Sequence, residues 1–462
     1  MKAILTAAEM RALEQAAFAA GTASSLDLQE RAAAGAARLL PPEGPVEVLA
    51  GPGNNGGDAL AVARILRGEG RTVRVWALTP EPTWTGDAAL QAQRWRDLGG
   101  ELAWTPDPAG TVAAWEQRWI VDGLFGLGAS RPLEGLAWSW VEALQGHPVL
   151  SLDQPSGWRP DVPEGGLGAA TVTACFGHPK LIHLLEPGRS ACGRIEVIDL
   201  GLPCAQARHR LVEAPILPRP AWNAHKRSQG HVAIRAGSLG MSGAAVLAAL
   251  GAFRVGAGLV TVLPDPEVRA EVASQIPEAM VRAWKGQVPE GVDVLLAGPG
   301  GIEEIPVWPG PLVLDASALR DDEGHRWMAR PDTVITPHPG EFARLFGLPK
   351  PEGPTARLDQ ARKVANGPGV LLLKGAQSLV LGGDSEEIWI NDTGHWGLAT
   401  AGTGDFLAGM VAGLRAQGLT PRQAAASAAW LHGACADRLG KGPLMVRDLA
   451  AELPRLLREC HA

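Results

Sequence analysis

The chain is 462 residues long, 46% hydrophobic and 20% charged, with a formal net charge of −7. That length predicts two or three domains. The acidic balance, with no basic block to neutralise phosphates, argues against a nucleic-acid partner. The five cysteines are an odd number without a CxxC pair and read as reduced thiols, which predicts a cytoplasmic protein. The opening MKAILTAAEMRALEQ brings charge too early for a signal peptide. The longest uncharged run, 236–253, holds four glycines and reads as a turn and a buried helix, not a membrane span. With no tyrosine in the chain, no phenol can serve as a general acid.

In chain order, short apolar runs recur at 46–50, 72–78, 119–122, 149–153, 170–176 and 194–200. They continue at 232–235, 259–263, 292–297, 311–315, 333–336, 370–374 and 378–381. They lack strict alternation, as strands buried on both faces do. Helical stretches such as 59–68 and 356–365 lie between several of them. Strand-helix repetition predicts α/β domains with largely parallel sheets. The segment 213–220 carries three prolines and reads as an extended linker, predicting domains at 1–212 and 219–462.

In an open α/β sheet, ligands bind beyond the carboxyl ends of the strands. The first half places polar residues at three such ends. Gly51-Pro52-Gly53-Asn54-Asn55-Gly56-Gly57-Asp58 reads as a turn after the run 46–50. Asp122 precedes a glycine-rich stretch, and Asp153 precedes Gln154-Pro155-Ser156-Gly157. Each alone is an ordinary cap or turn residue; together they predict a cleft. Asp153 is the candidate acid/base.

In the second half, Thr400-Ala401-Gly402-Thr403-Gly404-Asp405 precedes an uncharged helical run. A glycine-rich turn opening a helix aims free N–H groups and the helix dipole at one spot, which suits a phosphoryl group. Asp405 at that start can take a proton from a substrate hydroxyl. Gly298-Pro299-Gly300-Gly301, the rigid Thr336-Pro337-His338-Pro339-Gly340-Glu341 and the Lys374-Gly375-Ala376-Gln377-Ser378 connection complete the set.

These blocks together resemble the bifunctional NAD(P)H-hydrate repair enzymes, over roughly residues 10–455. GPGNNGGD, VDGLFGLG and LDQPSGW resemble the epimerase domain of that family, while TPHPGE and GTGD resemble its ADP/ATP-dependent dehydratase domain. The resemblance implies a Rossmann-like three-layer domain followed by a ribokinase-like α/β domain. It implies that NADH or NADPH that has gained water across the nicotinamide ring is epimerised at its 6-hydroxyl carbon. The S form is then phosphorylated by the nucleotide and loses phosphate. By the same resemblance Asn54, Asn55, Gly56, Gly57, Asp58, Gly126, Leu127, Gly128, Ala129, Ser130, Arg131, Pro132 and Asp153 contact the adduct in the first domain. Asn55, Asp122 and Ser156 bind potassium there. In the second domain Ala244, Gly300, His338 and Asp405 contact the adduct, while Lys374, Gly375, Ala376, Gln377, Ser378 and Gly404 hold the nucleotide with magnesium. Arg227, Ser317, Arg320 and His395 depart from the residues usual in the family. A homo-oligomer is expected. The competing readings are a ribokinase-like small-molecule kinase fused to a nucleotide-binding domain, and a non-catalytic scaffold.

Overall fold

The computed structural model describes residues 1–80, 82–129, 132–217 and 219–460. It divides into two compact units, Ala3–Ala207 and Arg208–Ala462, the second also taking Met1–Lys2.

The first unit is built on seven strands: β1 (Val46–Ala50), β2 (Val73–Ala77), β3 (Leu102–Ala103), β4 (Trp119–Gly123), β5 (Val149–Leu152), β6 (Val172–Phe176) and β7 (Arg194–Ile198). They stand in the order β3-β2-β1-β4-β5-β6-β7, each parallel to its neighbours. The chain order reverses at β1 and β4, where such sheets open a ligand crevice. Helices α1 (Ala7–Ala19) and α2 (Ser25–Ala37) both begin with capping boxes, Thr6 with Glu9 and Ser24 with Asp27. The small side chains Ala32, Ala33 and Ala36 of α2 join the core with Ala59, Ala63 and Leu66 of α3 (Asn54–Gly68). The two-residue β3 carries too little pattern to be read from sequence.

The structure corrects one local reading. Asn54–Asp58 is the first turn of α3 and not a preceding loop. A Cβ on Gly56 would lie 1.9 Å from the Gly51 carbonyl oxygen, and one on Gly57 would strike Gln29 and Ala88. These glycines permit close packing, not an unusual turn.

The second unit carries β8 (His209–Leu211), β9 (His231–Arg235), β10 (Leu259–Val262), β11 (Met280–Val281), β12 (Val294–Ala297), β13 (Leu312–Leu314), β14 (Thr333–Ile335), β15 (Val370–Leu373), β16 (Ser378–Gly382) and β17 (Ile388–Asn391). Their order is β8-β17-β16-β15-β14-β13-β12-β9-β10-β11. The strands from β11 to β15 pair in parallel, and β16 is antiparallel to both neighbours. The labelled helices are α4 (Ser242–Arg254), α5 (Pro339–Leu345), α6 (Gly353–Val364), α7 (Thr403–Ala416), α8 (Pro421–Leu439) and α9 (Val446–Cys460). The run 236–253 is a turn leading into α4, as its glycines suggest. Among the described residues no helix is long and apolar enough to cross a membrane.

The sequence reading missed β8, β11 and β17, and β8 moves the boundary. His209–Leu211 pairs with β17, and Val212 and Leu217 are buried in the second unit's core. The Leu217 N–H donates to the Cys460 carbonyl oxygen at 2.8 Å. The segment 213–220 is therefore not a free linker, and the division falls at Ala207/Arg208. Prolines report a restricted backbone, whether or not that backbone is packed.

Helix α7 packs closely on α4 through glycines. A Cβ on Gly409 would stand 2.0 Å from the Ala248 carbonyl oxygen, and one on Gly251 2.2 Å from that of Phe406. Gly409→Ala must push the helices apart, and overpacking of this kind costs about 1–3 kcal/mol. Calorimetry on that variant is expected to show a lower transition temperature for the second unit. An unchanged transition would mean that the helix pair separates freely.

Candidate active site

A cavity of about 650 Å³ opens at the carboxyl ends of β1, β4 and β5 in the first unit. Register explains the convergence: Ala50 pairs with Gly123, and Asp122 with Ser151. The following residues therefore emerge side by side. Asn54, Asn55, Asp58, Gly126, Leu127, Gly128, Ala129 and Asp153 all line the cavity. Gly56, Gly57, Asp122, Pro132 and Ser156 are not among its lining residues, and Ser130 and Arg131 lie outside the described residues. Gly53 caps α3 without a side-chain hydrogen bond, so the first-turn N–H groups at the cavity have no side-chain cap.

Asp153 is buried, and its backbone stands in the left-handed region at φ +65°. Its Oδ1 lies 2.5 Å from Lys180 Nζ, in a side chain only 1% exposed. His183 Nδ1 accepts the Lys180 N–H at 2.9 Å, so Nε2 carries the hydrogen and donates to the Asp153 carbonyl at 2.7 Å. Burial, then the Lys180 charge, pushes His183 down to about 4, and it stays neutral. Burial disfavours the charge on Lys180, but Asp153 outweighs it and the ammonium is held above its ordinary range. Two more carboxyls face the cavity. Burial and the Asp153 charge raise Glu14 of α1, and raise Asp58 well above the usual carboxylate range despite a hydrogen bond from Gln29.

Asp122 sits at the end of β4, where burial raises it while hydrogen bonds oppose the shift. Its carboxylate accepts from Ser156 Oγ at 2.6 Å, from Ser156 N at 2.8 Å and from Ser151 Oγ at 3.2 Å. Ser156 Oγ in turn accepts from Phe125 N at 2.9 Å. The pair thus anchors the turn that supplies Gly126–Ala129. Asn55 reaches the same turn, since a Cβ on Gly126 would lie 2.8 Å from its Oδ1.

In the second unit, α7 begins at Gly402, whose φ is +89°, again without a side-chain cap. A Cβ on Gly404 would lie 3.4 Å from Lys374 Nζ, which places that ammonium beside the open helix start. Lys374 Nζ is 2.7 Å from Asp315 Oδ1, and Thr336 Oγ1 donates to the same oxygen at 2.9 Å. Burial, then the charge of Asp315, pushes Asp405 up to about 6, with Lys374 opposing. His338 does not stand free between its prolines. It caps α5, with Nδ1 accepting from Gly340 N and Glu341 N, while Glu341 Oε2 accepts from His338 N. Gly300, at φ +69°, packs on Ala244, whose Cβ a side chain there would meet at 2.9 Å. The connection from Lys374 to Ser378 is clamped from α6, where Arg357 Nη2 donates to the carbonyls of Leu373 and Gln377.

Sequence reasoning missed Glu14, Gln29, Lys180, His183, Arg357 and His432. His432 is buried behind the α7 start, its ring 6.3 Å from Phe406, and burial lowers it to about 4. None of these belongs to a short motif. The usable signal was a charged or imidazole side chain in an otherwise apolar stretch, as Lys180 and His183 are.

The departures from family pattern are structural. Ser317 Oγ accepts from Ile302 N and donates to the Gly298 carbonyl, bracing the glycine turn. Arg320 donates to the Glu303 carbonyl. His395 accepts from Gly397 N at 3.0 Å and meets the Ala436 carbonyl at 3.0 Å. Arg227 donates to the Gly291 carbonyl.

A half-buried aspartate at a glycine-opened helix start, with a lysine beside it at the carboxyl edge of a parallel sheet, defines an α/β enzyme equipped to handle a phosphoryl group. The first unit holds a site of its own, the cavity lined by Glu14, Asp58 and Asp153. Comparison with known proteins agrees with this two-site organisation. Residues 232–457 match the family described as NAD(P)H-hydrate dehydratase, and residues 25–182 match the YjeF-related protein N-terminus. The chain is 34% identical to a bifunctional NAD(P)H-hydrate repair enzyme of Moorella thermoacetica, covering 98% of this chain and 96% of that one. It is 30% identical to that of Escherichia coli, over 89% and 84%. A solved ADP/ATP-dependent NAD(P)H-hydrate dehydratase from Bacillus subtilis, co-crystallised with ATP and Mg2+, is 31% identical. It covers 53% of this chain and 95% of its own, with a TM-score of 0.48. The chain belongs to the family of bifunctional NAD(P)H-hydrate repair enzymes.

Proposed function

We propose that the chain restores hydrated NADH and NADPH. The first unit interconverts the R and S adducts, and the second removes water from the S form at the expense of ADP or ATP. One observation carries this: a single chain aligns over 98% of its length with a bifunctional repair enzyme. The test is to incubate the purified chain with mixed R and S adducts, with and without ADP or ATP, and follow the absorbance of the reduced nicotinamide ring. Recovery is expected to need nucleotide and to run to completion. A stall at the S fraction would remove the epimerase, and an accumulating phosphorylated product would make the second unit a plain kinase.

In the second unit Asp405 activates the adduct hydroxyl. The N–H groups of Gly402, Thr403 and Gly404 at the open helix start hold the phosphoryl, and Lys374 offsets its charge. Phosphorylation turns a poor leaving group into a good one, and loss of phosphate restores the ring double bond. Ala244, Gly300 and His338 contact the adduct, and Lys374–Ser378 contact the nucleotide. Among the described residues no three His, Cys, Asp or Glu side chains are grouped to hold a metal ion. Magnesium enters as an ion carried on the nucleotide phosphates, which it binds through oxygen and retained waters.

In the first unit Asn54–Asp58, Gly126–Pro132 and Asp153 contact the adduct, and Asn55, Asp122 and Ser156 hold potassium. Carboxylate, hydroxyl and amide oxygens are hard donors of the right kind. The fit has a specific support: Asn55 Nδ2 is buried with no hydrogen-bond partner among the described residues. Turning the amide puts its oxygen there, ready for a cation. Epimerisation is expected to run faster in potassium than in sodium buffer, and Asp122→Ala to be slow in both. Equal wild-type rates in the two buffers would remove the ion.

The five free cysteines support a cytoplasmic setting. A homo-oligomer is expected by light scattering, and a monomeric mass would refute it.

A further inference from the structure

Asp153 and Lys180 form an ion pair inside the cavity, and its geometry bears on how the hydroxyl-bearing carbon is inverted. Lys180 Nζ donates to Asp153 Oδ1 at 2.5 Å and to the Phe176 carbonyl at 2.9 Å. The left-handed backbone of Asp153 is held from both sides. His183 donates to its carbonyl, and its own N–H donates to the Ala174 carbonyl at 2.8 Å. A non-glycine residue kept in that region by packed surroundings points to a function for its side chain. The other titratable groups whose charges reach the pair are Glu14 of α1, Asp58 of α3, Asp161, Cys175 of β6 and His183.

In the hydrated ring the carbon bearing the hydroxyl is also bonded to the ring nitrogen. Two routes can invert it. In one, the hydroxyl leaves as water and water returns from the other face, which needs a proton donor on the oxygen. In the other, a base takes the hydroxyl proton, the carbon–nitrogen bond breaks as an aldehyde forms, and the ring closes again on the other carbonyl face. A carboxylate held against a buried ammonium is kept in its ionised form, so it carries no proton for a departing hydroxyl and can only take one up.

We propose that the Lys180–Asp153 pair inverts the adduct by ring opening, with the substrate's own oxygen retained. Asp153 takes the hydroxyl proton, the carbon–nitrogen bond breaks as the carbon–oxygen double bond forms, and the ring nitrogen takes a proton from the Asp58 carboxyl. Closure on the opposite face reverses each transfer: the nitrogen returns its proton to Asp58, and Asp153 returns its proton to the oxygen. No water enters the balance. Lys180 acts through Asp153 and is a positioning residue. The inference rests on the epimerase reading of the first unit.

The test uses the full-length chain with R adduct, without nucleotide, in water enriched in oxygen-18, with mass spectra taken once the epimers have equilibrated. R and S are expected to equilibrate with no more label than an enzyme-free sample gains. One oxygen-18 per inverted molecule would overturn ring opening and leave the epimerase reading standing. No interconversion at all would overturn the epimerase reading itself. The role of Lys180 has its own readout. Lys180→Met is expected to lower kcat for epimerisation with the KM for the adduct unchanged, and Lys180→Arg, which keeps the cation beside Asp153, to restore part of the rate. A wild-type kcat in Lys180→Met would refute that role. Should the variant fail to fold, the oxygen-18 result on the unaltered chain decides the proposal.

Discussion

Asp405→Asn is expected to abolish dehydration while epimerisation continues at the wild-type rate. The substitution keeps the size of the side chain and removes its negative charge and its capacity to accept a proton. Loss of a general base costs about 10²–10⁴-fold. The two activities separate because Asp405 lies in the second unit and the cavity with Asp153 lies in the first. The acid limb gives an independent check. Burial and the neighbouring Asp315 push Asp405 up to about 6. The carboxylate is the active form, so dehydration is expected to fall as pH drops through about 6, with the rate proportional to the ionised fraction. Lys374→Met removes the cation that opposes this shift, and its acid limb is expected at higher pH still. Recovery of NADH by Asp405→Asn at the wild-type rate, measured on pure S adduct with saturating nucleotide, would refute the assignment.

Asp153→Asn is expected to have the converse effect. Epimerisation falls by about 10²–10⁴-fold, as for any lost base, and dehydration of S adduct is untouched. Recovery from a mixed pool then stalls at the S fraction, apart from slow spontaneous epimerisation. Asn retains an acceptor for Lys180 Nζ, but the buried ammonium loses its countercharge. Breaking one side of a buried pair costs about 3–5 kcal/mol. The first unit is therefore expected to unfold at lower temperature, and the assay belongs well below that transition. Full recovery from the mixed pool at the wild-type rate would show that Asp153 does not carry the proton.

Local chemistry was legible in the chain itself. Each long buried strand was found from its apolar run, because a strand covered on both faces admits few polar residues. Gly402-Thr403-Gly404-Asp405 could be read as an open helix start because a capless N-terminus and its acid lie within one turn of each other. Asn54, Asn55, Asp58, Asp122 and Asp153 could be placed at strand ends for the same reason: the signal spans only a few residues. Short or late-joining strands such as β8 and β11 were not found, since two or three residues carry no period. What only the tertiary structure decided is which distant groups meet. Lys180 lies 27 residues from Asp153, and Lys374 lies 59 from Asp315. Glu14 reaches the first cavity from a helix that precedes every motif. The separation of those groups along the chain is set by crossover helices and loops, and their contact by sheet order and register. The charge state of Asp405 follows likewise from burial and from neighbours on other strands. Residue types fix which protons can move, whereas the packing of parallel strands decides which group holds each one.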